Sequence, residues 1–485
     1  MTQPPHPNET QPLLARPGHV VSSGTSGPSS HNSKLLKLLP VLILASICRG
    51  ISMFSRFAYY GNSPTRPWER RSWFTLWVKM PGVTVQMELW SMYASFVVSF
   101  ITVGWWSAFG DRRGRKPVLL VSILGAVLVD FIYMIVANSQ QDGVSLGLIV
   151  EGLLGGFATF KGVVHAYGSD LSRSPLSRMV IFAAIQAISF TFFRFGALLG
   201  QLADPIPDLR HSDLGYVISV LLGCCNLAYI YRVLPESLAP ASTERQDTPT
   251  SDSKTALQYI IMPFSLFLLR APSRNRIVLL AFSIYMYSWT AAFGVRMVVF
   301  TSNKGFFPAL PRPLLLLIPN LLNLLTWLFL LPGLAFILKR RSGDTENSGR
   351  RLEKSIAQNS ILTAAMCLIG TLIFGGARSS PLYAIFFFAY SFTVGALPAL
   401  YSLAASYFVT LGRSSELGAL FGTLSIWVSL GEYISYSSLG DSEWSLDYRL
   451  EWTAAFLVIS LLLLVPDGPP TQTEEVSVDP AEERV

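Results

Sequence analysis

Charge is what this sequence has least of. Only 14% of its 485 residues are Asp, Glu, Lys or Arg, against about 25% in soluble domains. That excludes an ordinary water-soluble fold. Histidine is scarce, at 5, and cysteine scarcer, at 4. Cys48, Cys224, Cys225 and Cys367 all fall in apolar runs. The adjacent pair Cys224–Cys225 is a poor disulfide, and no metal-ligand spacing occurs, so buried thiols and no metal are expected. A membrane-embedded enzyme would want His, Asp or Cys clustered at one face, and no such cluster is present. No P-loop sequence occurs, which argues against ATP as a driving force. The net charge of +7 is not gathered on one helix or stripe, so no nucleic-acid partner is expected.

What the chain has instead is apolar length. Hydrophobic residues make up 51% of it, with a mean hydropathy of +0.43. A helical span needs about 20 apolar residues. Twelve such runs are predicted, at 35–57, 86–110, 117–138, 145–168, 178–202, 213–234, 275–300, 314–338, 354–376, 380–410, 414–437 and 452–466. The expected fold is an all-α membrane protein. Its two six-helix halves are 34–235 and 275–466, joined by a linker at 236–274. Residues 255–271 in that linker read as an amphipathic segment on the membrane surface. The run at 380–410 is long enough to be broken or tilted. Tails at 1–33 and 467–485 are polar and expected to be disordered, and no signal peptide is expected ahead of the first run. Lys and Arg concentrate in the segments that face the cytoplasm if both termini lie inside.

The most informative stretch is Ser107-Ala-Phe-Gly-Asp111-Arg112-Arg113-Gly114-Arg115-Lys116-Pro117, a charged hairpin between two apolar runs. Gly114 suits a tight turn at positive φ, and Pro117 suits the first turn of a helix. The basic residues mark a cytoplasmic loop. Asp111 supplies a carboxylate for an arginine or a helix N-terminus. The stretch resembles the helix 2–3 loop signature of the major facilitator superfamily, G-x-x-x-D-R-x-G-R-K. It matches at Asp111, Arg112, Gly114, Arg115 and Lys116, with Ser107 in place of the first glycine. Leu234-Pro-Glu-Ser237 is similar to the end of the first half in fungal drug- or metabolite-type members. Tyr167-Gly-Ser-Asp170 resembles the inner end of helix 4, which implies that Asp170 pairs with Arg115 or Arg112. The second-half loop, Lys339-Arg-Arg-Ser-Gly-Asp344, keeps the basic charge but loses the spacing. Gly196 and Gly200 match part of an antiporter signature in helix 5, with Gln201 where that signature has proline. They read equally as a small-residue packing face.

The resemblance implies two pseudo-symmetric bundles rocking around a midplane site. Ionisable residues inside the spans then matter, because each costs about 2.5–3.5 kcal/mol at a helix centre unless paired or wet. Candidate cavity residues are Arg49, Lys161, His165, Arg194, Arg296, Tyr285 and Trp289. Arg56 and Arg296 also suit snorkelling to an interface. Spacing predicts one helical stripe of Glu151, Gly155, Ala158, Gly162 and His165. Glu432, Glu151 and Asp130 are candidate proton carriers, since burial raises a carboxylate pKa; for Asp130 structural pairing is preferred. The expected activity is proton-coupled export of a small organic compound, without a cofactor. Uptake of a small organic solute, anionic by a mild preference, is the alternative, and a non-transporting sensor a further one. Expected partners are that solute, protons and the lipid bilayer, with the protein a monomer. Residence in the plasma membrane is expected, or in a vacuolar membrane if Glu9, Leu13 and Leu14 act as a dileucine signal.

Overall fold

The computed structural model describes residues 28–61, 82–139, 144–172, 174–203, 214–238, 274–304, 312–342, 346–374, 381–411, 413–437 and 446–464. Among these residues every secondary-structure element is a helix. The first half holds α1 (Pro28–Gly61), α2 (Gly82–Arg113), α3 (Arg115–Ser139), α4 (Val144–Leu153 and Gly156–Asp170), α5 (Pro175–Ala203) and α6 (Leu214–Arg232). The second half holds α7 (Arg274–Lys304), α8 (Arg312–Leu325, a π-helical turn Thr326–Leu330, and Leu331–Ser342) and α9 (Glu346–Phe374). It continues with α10 (Pro381–Ala389, a 3₁₀ stretch Tyr390–Gly395, and Ala396–Thr410), α11 (Leu417–Ser437) and α12 (Leu446–Leu462). Eight described stretches are long and apolar enough to cross a membrane, by length and composition.

The two halves repeat one packing plan. In the first, α1 packs on α5 and α6, α3 on α4 and α6, and α2 on α4. In the second, α7 packs on α11 and α12, α9 on α10 and α12, and α8 on α10. Contacts between halves obey the same exchange: α2 and α4 meet α11, while α8 and α10 meet α5. A pseudo-twofold relation between two six-helix bundles is therefore written in the contact pattern itself. One apolar core, including Leu119, Phe182, Leu400 and Phe421, runs through both.

Three helices are not continuous. In α4 the chain passes through Gly155 at φ 95° and Gly156 at φ 59°, a left-handed pair that L side chains avoid. This corrects the predicted single stripe on α4, because the break shifts helical phase. Glu151 lies before it and faces α1, whereas Gly162 and His165 follow it and face the second half. The 3₁₀ stretch in α10 interrupts the long run where a break or tilt was expected. The first helix also begins at Pro28, ahead of the apolar run at Leu35. The Glu9–Leu14 signal, the amphipathic linker segment and the C-terminal tail lie outside the described residues.

Gly196 sets the contact of α5 with α1. A Cβ there would come within 2.8 Å of the Ile47 Cα, so the two backbones touch. Gly200 faces Ile51 and Phe54 on the same helix. Small residues allow such close approach, and the gain is dispersion between backbones.

Candidate functional site

The charged hairpin folds into a buried relay that joins the two halves. Gly114 adopts φ 109°, and a Cβ there would collide with the Glu236 carboxylate. The turn lets α3 start at once, so Arg115 folds back with its guanidinium 1% exposed. Its Nη1 donates to Asp111 Oδ1 at 2.5 Å and its Nε to Asp170 Oδ2 at 3.2 Å. Asp111 in turn accepts the backbone N–H groups of Gly418 and Ala419, both at 2.9 Å. Those are orphan donors at the N-terminus of α11, where a carboxylate also meets the positive end of the helix dipole. Burial pushes the Asp111 carboxyl up from its ordinary value, while Arg115 and the two N–H groups act against that shift.

Of the predicted gate residues, Asp111, Arg115 and Asp170 are brought into one chain of contacts. Arg112 is exposed beside it. The Lys116 ammonium reaches the Tyr231 carbonyl at 2.8 Å. Ser107 is buried where α2 crosses Gly422 of α11. Sequence reasoning missed Glu236. Its carboxylate accepts from the Arg115 and Lys116 N–H groups at 2.7 and 3.1 Å, capping α3. The only sequence signal was its place in Leu234-Pro-Glu-Ser237.

A second junction, also missed, lies across the twofold. Glu353 of α9 is fully buried and accepts from Ser402 and from Ser406, the latter at 3.0 Å. Arg178 of α5 donates to Ser406 Oγ at 3.3 Å. Its signal was a lone carboxylate inside the basic run Arg350-Arg351-Leu-Glu353-Lys354.

Next to the relay sits an aromatic layer drawn from both halves. The His165 ring centroid lies 4.7 Å from Tyr401 and 5.1 Å from Phe182, and Tyr401 stacks on Phe421 at 5.9 Å. His165 Nδ1 donates to the Lys161 carbonyl at 2.7 Å. His165 is therefore packed in this layer at the junction of the halves.

Beyond that layer, α1, α3, α4 and α6 border a mostly apolar cavity whose lining includes the charged groups Arg49, Arg56, Asp130 and Glu151, with Ser52 and Phe157. Arg49 pairs with Glu151. Arg56 pairs with Asp130 at 3.1 Å and lies 4.7 Å above the Tyr133 ring. Ser52 and Ser219 also donate to Asp130, Ser219 at 2.6 Å. Lys161, 4.7 Å from the Phe157 ring, meets Glu432 of α11 at 3.4 Å, a pair that spans the two halves. Of the candidate proton carriers, Asp130 and Glu151 are thus deeply paired. Glu432 is not buried: its side chain is 41% exposed, which removes the burial argument used for it.

The remaining candidates lie apart from this cavity. Arg194 stacks on Phe190 of its own helix at 5.2 Å. Trp289 packs edge-on to Phe456 at 4.7 Å, and Tyr285 to Trp427 at 6.1 Å, both inside the second half. The Arg296 side chain lies outside the described residues.

No protein-family model matches the chain. It is 29% identical over 270 residues to the MFS-type transporter avaJ of Aspergillus versicolor, covering 50% of each chain. It is 27% identical over 237 residues to the lysosomal proton-coupled steroid conjugate and bile acid symporter of Gallus gallus, covering 47% of each. The chain thus matches about half the length of these curated relatives. Its fold is similar to that of the human organic anion transporter MFSD10, with a TM-score of 0.62 and 17% identity over 90% of this chain and 100% of the other. Twin bundles and these likenesses give the chain the fold of the major facilitator transporters, that of an integral multi-pass membrane protein.

Proposed function

We propose that the chain is a proton-coupled secondary transporter of a small organic solute, working by alternating access. The observation that carries this is the bond of Asp111 to the N-terminus of α11. It ties one rigid half to the other at a single end, through groups that can part without disturbing either core. Such a contact needs only a bias of a few kcal/mol to set which side is open. Proton coupling is supported by the Lys161–Glu432 pair, an ionisable contact between the halves separate from the Asp111 bond. The export direction expected from Gly196 and Gly200 has no separate support, because both glycines serve the α1–α5 contact.

The test is solute-driven proton movement. Proteoliposomes enclosing a pH-sensitive dye are challenged with fractions of a small-metabolite extract. At least one fraction should move protons in protein-containing vesicles and not in empty ones. Proton-tight behaviour with every fraction contradicts the reading.

A further inference from the structure

We propose that the relay end of the first half holds an anionic phospholipid, its head group on Lys34, Lys37, Lys116 and Arg232 and its acyl chains along the open face of α6. The proposal concerns the bilayer rather than the solute, and it stands whatever the chain moves.

Three helix ends meet there around Glu236. Lys34, near the start of α1, donates from Nζ to the Glu236 carbonyl at 3.3 Å. Lys116, at the start of α3, donates from Nζ to the Tyr231 carbonyl at 2.8 Å. Tyr231 and Arg232 are the last residues of α6. An ammonium has three donors, and each of these bonds takes one. The carbonyls therefore fix both cations in place without supplying a counter-charge. Lys37 follows Lys34 by one helical turn, on the same side of α1, and Lys37 and Arg232 are both exposed.

The carboxylates at this end are engaged elsewhere. Asp111 and Asp170 hold Arg115. Glu236 turns inward onto the Arg115 and Lys116 N–H groups. Among the described residues, none of the four cations is salt-bridged. A surplus of positive charge is left at the rim, and an anion is what it complements.

Exposure shows what kind of anion. Leu221, Cys224, Cys225, Ala228, Tyr231 and Arg232 of α6 are all exposed, and helical spacing puts them on one face. Leu221 is 61% and Tyr231 71% exposed. In a bilayer this apolar track faces acyl chains. It ends in a tyrosine and a cation, at the depth where the chains join their phosphates. Leu36, beside Lys37, adds a second exposed apolar side chain there. A soluble anion would use the cations and leave the track bare, whereas a phospholipid uses both. The gathering of Lys and Arg at this end places it at the cytoplasmic leaflet, which carries the anionic lipids. A bound head group draws the ends of α1, α3 and α6 together behind Arg115, so occupancy stabilises the fold.

The test uses the full chain in detergent and three probes: dioleoylphosphatidylglycerol, dioleoylphosphatidylcholine and glycerol 3-phosphate. The phosphatidylglycerol should raise the melting temperature in a saturable way, and the other two should not. Lys37→Gln combined with Arg232→Gln should keep its melting temperature in phosphatidylcholine. It should need about thirtyfold more phosphatidylglycerol for the same rise, at about fivefold per surface cation. Lys37→Arg with Arg232→Lys should restore the wild-type response. Arg340→Gln with Arg351→Gln, which removes two exposed cations of the second half, should leave it unchanged. An equal rise with phosphatidylcholine would remove the charge from the argument, and an equal rise with glycerol 3-phosphate would make the patch a soluble-anion site; either overturns the inference. So does undiminished phosphatidylglycerol binding in the first-half variant, or an equal loss in the second-half one, which would show diffuse attraction and no site.

Discussion

The Asp111 carboxylate sits on the N-terminus of a helix 307 residues away in sequence, accepting the Gly418 N–H at 2.9 Å. The two residues belong to different halves. Their bond makes the end of α2 a latch on α11, with Arg115 and Asp170 behind it as a buried charge relay.

Arg115 should be the relay residue whose loss costs most. Its removal leaves Asp111 and Asp170 without their shared cation, 9% and 10% exposed. Breaking a buried ion pair by deleting one partner costs about 3–5 kcal/mol. Arg115→Ala is expected to lower the melting temperature in detergent clearly. Arg115→Lys should recover only part, because an ammonium lacks the fork that reaches both carboxylates. An unchanged melting temperature in Arg115→Ala would show that the relay does not hold the fold.

Gly114 and Glu236 should be coupled. Gly114→Ala meets both a positive φ and the Glu236 carboxylate, and strain of this kind costs about 1–3 kcal/mol. In a Glu236→Ala background the collision is gone and only the backbone strain remains. Thermal unfolding of the two single variants and the double variant is expected to be non-additive by at least about 0.5 kcal/mol. Additivity would separate the turn from the cap.

The hairpin was legible because its residues act locally. Gly114, Arg115 and Asp111 are close in sequence, and charge between two apolar runs is conspicuous. The partners were not legible. Glu236, Gly418 and Ala419 arrive from distant helix ends, and two of them contribute only backbone N–H groups, which no residue type announces. The bundle plan followed from apolar run lengths, but the phase of α4 did not. Two left-handed glycines undo a 3.6-residue stripe that assumes one unbroken helix. Candidates chosen for charge alone divided on packing. Arg49 reaches the cavity and Lys161 pairs across the halves with Glu432, whereas Arg194 stacks on its own helix and Trp289 is absorbed into the second bundle.

The second junction should be energetically linked across the halves. Arg178 reaches Glu353 through Ser406. Arg178→Ala and Glu353→Gln are each expected to weaken it, with a coupling energy of about 0.5–3 kcal/mol in a double-mutant cycle on thermal stability. A coupling of zero would mean that the serine does not transmit the contact.

Gly196→Leu should fail for a different reason. Its side chain would have to enter the Ile47 backbone, and overpacking costs about 1–3 kcal/mol or more. Loss of folded yield and of melting temperature is expected, whatever the solute or pH. Wild-type stability would place α5 further from α1 than described.

The most direct test of the account measures the distance between the halves at the relay end. Spin labels at Ser177 and Ser415, both exposed, in a cysteine-free background report that distance by pulsed electron resonance in lipid. The wild type should show a short and a long population, and Asp111→Asn should move the balance toward the long one by about tenfold. A single distance, the same in both proteins and unmoved by pH, would contradict two halves that swing about a shared cavity.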